Sequence, residues 1–89
     1  MGYQIRLPDE LGRQLQERRK ALRLSKRELV KRSGKARKVI DHLEFGQEAT
    51  VSSLLAVLGA LGLALTVEPA GLPTAEEVAR RFEEDTDAS

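Results

Sequence analysis

Two clusters near the middle of this 89-residue chain have the side chains and spacing to do recognition chemistry: Ser25, Lys26 and Arg27, then Lys35, Arg37, Lys38, Asp41 and His42. Arg and Lys donate to guanine N7 and O6, and a carboxylate accepts from the cytosine amine. Free backbone N–H groups at a helix start, with basic side chains beside them, hold a phosphate. On a helix Asp41 stands i+4 from Arg37 and i+3 from Lys38, and His42 stands i+4 from Lys38, so these residues share a face. Asp41 can accept from a cytosine amine or neutralise Arg37 or Lys38 within the helix, and the intrahelical pair is preferred. His42 reads equally as a base contact or as a solvent-exposed helix residue. It is the only histidine, cysteine is absent, and neither a Gly-rich phosphate loop nor metal-ligand spacing occurs. No catalytic residue, metal or cofactor is expected.

Charge along the chain sharpens the first reading. Residues 13–44 hold 12 Lys/Arg against four acids, a balance of +8, while residues 45–89 hold two Arg against eight acids, a balance of −6. A basic half of this density supplies phosphate contacts through counterion release, or else simply solubilises basic helices. Aliphatic residues dominate the apolar set, and Tyr3, Phe45 and Phe82 are the only aromatics, which favours a mainly helical core. Apolar runs fall short of the roughly 20 residues that span a bilayer, and the amino end has no signal-like pattern. With no cysteine present, a soluble cytoplasmic protein is expected.

Five helices and two strands position these groups. Tyr3, Ile5 and Leu7 alternate with polar residues as a short strand ended by Pro8. Asp9 caps a helix over 9–22 in which Leu11, Leu15 and Leu22 recur at helical spacing. Ser25 and Glu28 form a capping box for a second, short helix, and Gly34 supplies the left-handed conformation for a tight turn after it. A third helix spans about 36–45, with Val39, Ile40 and Leu43 inward and Gly46 as its stop. Thr50 caps a fourth, whose apolar residues from Val51 to Leu61 cover more than one face and so need two partners. Leu63, Leu65 and Val67 then alternate as a second strand, which must pair with the first, with its symmetry mate, or with both. The dimer surface is accordingly placed on Leu54, Leu58, Leu61, Leu63, Leu65 and Val67. Residues 1–69 form the domain. Residues 70–89 are a linker, a short amphipathic helix carrying Val78 and Phe82, and an acidic tail.

Two short helices joined by a Gly-containing turn inside a helical bundle is the helix-turn-helix arrangement, whose second helix enters the DNA major groove. The run LSKRELVKRSGKARKVIDHLEFG, residues 24–46, resembles the core of the phage-repressor-like XRE family, over roughly residues 9–61. The run TVSSLLAVLGALGLALTVEP, residues 50–69, is similar to the last helix and dimer-forming strand of HipB-type antitoxins. The resemblance implies a mainly α, phage-repressor-like bundle of about four helices with a short C-terminal strand in a dimer sheet. It also implies a homodimer on a palindromic operator that represses its own operon and holds a toxin, often a HipA-like kinase, and a pairing of Arg19 with Glu44. Departures are Lys26 where Gln is usual, Ala36 where a Ser or Thr cap is usual, and Asp41 where Ser or Thr is more common. An autonomous regulator without a toxin, and an interaction module on a helix-turn-helix scaffold, are the competing readings.

Overall fold

The computed structural model describes residues 4–70. Four helices follow in order: α1 (Pro8–Ala21), α2 (Lys26–Ser33), α3 (Arg37–Glu44) and α4 (Val51–Ala60). No described helix is long and apolar enough to cross a membrane. The expected tail helix with Val78 and Phe82, and Tyr3 of the first strand, lie outside the described residues.

Each helix start has a local cause. Proline at the first turn of α1 has no N–H to leave unsatisfied, and the Glu10 carboxylate accepts from the backbone N–H of Arg6 at 2.9 Å and of Leu7 at 3.2 Å. The expected cap at Asp9 is corrected: the helix begins at Pro8 with Leu7 at the cap position, and Asp9 lies inside its first turn. Ser25 and Glu28 form the expected box: Ser25 Oγ accepts from Glu28 N–H at 3.1 Å and Glu28 Oε1 accepts from Ser25 N–H at 2.9 Å. Thr50 Oγ1 accepts from Ser53 N–H at 3.1 Å and starts α4 as expected.

The amphipathic stripes of the four helices meet in one core of Leu15, Leu24, Leu29, Ile40, Leu43, Val57, Leu58 and Leu61. A buried Leu or Ile of this kind stabilises the fold by roughly 1.5–3 kcal/mol. Gly12 lets α1 lie directly against the end of α3: a β-carbon there would meet the backbone carbonyl oxygens of Glu44 and Leu43, the latter at 2.6 Å. Arg18 fastens the other end of α1, donating from Nε to the Leu61 carbonyl at 2.9 Å.

The two expected strands are not formed among the described residues; neither segment carries a backbone ladder there. Side-chain bonds join them instead, with Gln4 Nε2 donating to Glu68 Oε2 and to the Pro69 carbonyl, each at 2.8 Å. The physical reason is a shortage of partners, because a ladder needs a neighbouring backbone in register and the described residues offer only short, proline-bounded pieces. Between them and α1 runs a groove of ≈ 810 Å³ lined by Ile5, Leu11, Leu15, Leu58, Leu63 and Leu65 among others.

Candidate nucleic-acid interface

The interface is built on α2, the turn and α3. Gly34 takes φ 73° and its N–H donates to the Val30 carbonyl at 3.0 Å, which ends α2 and turns the chain. Lys35 lies half-buried in this turn, its backbone N–H donating to Ser33 Oγ at 3.2 Å. α3 then starts at Ala36, which has no side-chain cap, so the N–H groups of its first turn lack a side-chain acceptor. Ile40 and Leu43 point into the core, Val39 packs against it, and Arg37 and Lys38 are exposed on the opposite side. Among the described residues neither Arg37 nor Lys38 forms an ion pair.

Asp41 is paired, but with a different partner from the one the sequence favours. Lys26, at the first position of α2, reaches across to α3 and donates from Nζ to Asp41 Oδ1 at 2.8 Å. Its ammonium lies 5.1 Å from the centre of the Phe45 ring, close enough for a cation–π contact. The intrahelical pairing of Asp41 with Arg37 or Lys38 is therefore corrected. A four-carbon stem from the neighbouring helix brings an ammonium to the carboxylate, whereas Arg37 and Lys38 extend into solvent. The bond from Lys26 holds the Asp41 carboxyl below its ordinary pKa, aided by the positive charge of Arg37. Lys26, expected to stand free for a phosphate, is engaged with Asp41 and Phe45.

Ser25 and Arg27 are exposed at the start of α2, and His42 is half-buried on α3. The Ser25 hydroxyl is occupied as a cap, and the Glu28 carboxylate sits at the same helix end, its pKa lowered chiefly by the backbone bond from Ser25. A carboxylate is thus already placed where a phosphate would approach α2. Arg27 is left as the exposed basic side chain there.

A buried ion pair ties the end of α3 to α1. Arg19 on α1 donates from Nε to Glu44 Oε2 at 2.7 Å and from Nη2 to Glu44 Oε1 at 3.2 Å, while Nη1 donates to the Leu24 carbonyl at 2.9 Å. The two residues are 8 % and 7 % exposed. Their bonds tie α1 to the end of α3 and to the segment that enters α2. The pairing implied for these residues is present.

The six residues assigned to a dimer surface divide. Leu58 and Leu61, 5 % and 1 % exposed, belong to the protomer's own core; Leu54 and Leu63 pack against it, half-buried. Leu65 and Val67 are exposed, Val67 at 91 %, and Leu55 and Val51 add exposed apolar surface on α4. Leu58 and Leu61 face inward because α4 is the element that closes the bundle, and a helix cannot spend one stripe on two partners.

Gly12, Arg18 and Phe45 escaped the sequence reading. Gly12 carries no pattern of its own, Arg18 reads as one of a run of cations, and the spacing of Phe45 at the end of α3 gives no sign of the Lys26 ammonium over its ring. Comparison with protein-family models and with curated proteins gives no match to the chain.

Proposed function

We propose that this protein is a sequence-specific double-stranded DNA-binding repressor that inserts α3 into the major groove. The observation that carries this is the start of α3, where N–H groups without a side-chain cap stand beside two exposed cations, Arg37 and Lys38, that form no ion pair among the described residues and lie on the face opposite Ile40 and Leu43. The first turn of a helix is the positive end of its dipole, so two cations there cost helix stability. An approaching polyanion reverses that cost. Arg37 and Lys38 donate to base edges, while Arg27 and Lys35 lie where phosphates flank the groove.

Two copies are required for a palindromic operator, because one α3 covers a single half-site and half-sites lie roughly 34–36 Å apart. Exposed Leu65 and Val67, on a segment whose backbone has no ladder partner among the described residues, support a homodimer through residues 63–69. The similarity of residues 50–69 to HipB-type antitoxins extends the proposal to a toxin-antitoxin operon in which the dimer also neutralises a HipA-like kinase.

Fluorescence anisotropy with labelled duplex DNA across a salt series tests the DNA reading. The binding constant should fall linearly with salt on logarithmic axes, Arg27→Ala with Lys35→Ala should weaken binding to all sequences and flatten the slope, and Arg37→Ala with Lys38→Ala should relax base preference. Absence of binding at low salt, or a flat salt response, contradicts the proposal. For the toxin, co-expression with a neighbouring kinase-like gene should yield a stable complex; an autonomous regulator would have neither that gene nor the complex.

A further inference from the structure

We propose that the Lys26–Asp41 pair is a composite base reader, in which Lys26 holds and neutralises Asp41 so that its second carboxylate oxygen accepts from a cytosine amine in the major groove. The inference rests on the DNA-binding reading above and names a specificity-determining residue within it.

An acid on a DNA-facing helix surface is repelled by phosphates, and it is tolerated only if a counter-charge travels with it. Lys26 meets that need: its Nζ is 2.8 Å from Asp41 Oδ1, and the ammonium is steadied over the Phe45 ring at 5.1 Å. No other described hydrogen bond or ion pair reaches the carboxylate, so Oδ2 is left as an acceptor, and the Asp41 side chain keeps 35 % of its surface accessible. Asp41 lies on the stripe of Arg37 and Lys38, one turn further along the helix, so a base met by Oδ2 neighbours those that the two cations meet. A carboxylate oxygen that only accepts selects an amine donor in the groove, and Asp and Glu pair there with cytosine N4. Anchoring from a second helix fixes the side chain before DNA arrives, which removes the ordering cost from the complex.

Selection of bound sequences from a random duplex pool, with the full chain and with Asp41→Asn, Lys26→Met and the double variant, tests this. Circular dichroism and thermal melting confirm that each variant is folded. The wild type should yield a consensus with a C·G pair at one position of each half-site. Asp41→Asn should convert that position to A·T or level it, the change in preference being about fivefold or more, and leave the other positions intact. Lys26→Met keeps a side chain of similar length but strands the carboxylate, so affinity should fall for all sequences. Adding Asp41→Asn should restore it, because a neutral amide needs no counter-ion. If the wild type gives a consensus that Asp41→Asn leaves unchanged at every position, the pair merely braces α2 against α3 and the inference is overturned while the DNA reading stands. If the wild type enriches no sequence, the DNA-binding reading itself fails and this inference with it.

Discussion

Single residues set both the stability and the chemistry of α3. Removing one partner of the Arg19–Glu44 pair strands a charge that is less than a tenth exposed, so Arg19→Met should destabilise the fold by about 3–5 kcal/mol. Arg19→Met with Glu44→Met together should recover most of that loss in urea denaturation, since the desolvation penalty goes with the charges. A double variant as unstable as the single one would show that the Arg19 hydrogen bond to the Leu24 carbonyl carries the site instead. Asp41 and Glu28 both have folded pKa values below their ordinary ones. Their contribution to stability is complete above those ordinary values and is lost as pH falls through the lowered ones, a window below about pH 4–5. Lowering pH from 7 to 3 should therefore shift the urea midpoint less in a variant carrying Asp41→Asn and Glu28→Gln than in the wild type. Equal shifts would place the acid sensitivity elsewhere.

At the scale of elements, the bundle depends on how closely α1 approaches α3. Gly12→Ala puts a methyl group against two backbone carbonyls that cannot rotate away, and should cost about 1–3 kcal/mol in the same denaturation assay. No change would mean that α1 slides freely. The four helices and most of their ends were legible from sequence, because a capping box at Ser25, a cap at Thr50 and glycines at 34, 46 and 62 are local signals that tertiary structure has no reason to override. Arg23 is the instructive exception. It adopts φ 57° after α1, with Leu24 N–H donating to the Arg19 carbonyl at 3.0 Å, a closure for which glycine is the usual residue. The partner of Asp41 was illegible for a different reason, since a pair between residues 15 apart depends on how two helices cross and spacing along one helix is silent about it. Leu58 and Leu61 show the same limit. Periodicity reveals that α4 has a wide apolar surface but not which stripe the protomer uses itself.

At the scale of the whole molecule, the proposed homodimer rests on exposed apolar surface. Val67 is 91 % exposed on segment 63–69, which has no backbone ladder among the described residues. If residues 63–69 pair between copies, light scattering at micromolar concentration should report a dimer, and Val67→Asp should shift it to monomer without unfolding the helices. A wild-type monomer would remove the basis for a two-fold operator. The central claim is that α3 reads bases through Arg37 and Lys38, and selection from random duplexes followed by competition binding tests it most directly. The account predicts a consensus of two inverted half-sites about 10 base pairs apart between centres, in which Arg37→Ala and Lys38→Ala each relax preference at their own position. A consensus lost uniformly and equally in both variants, or none in the wild type, would contradict it.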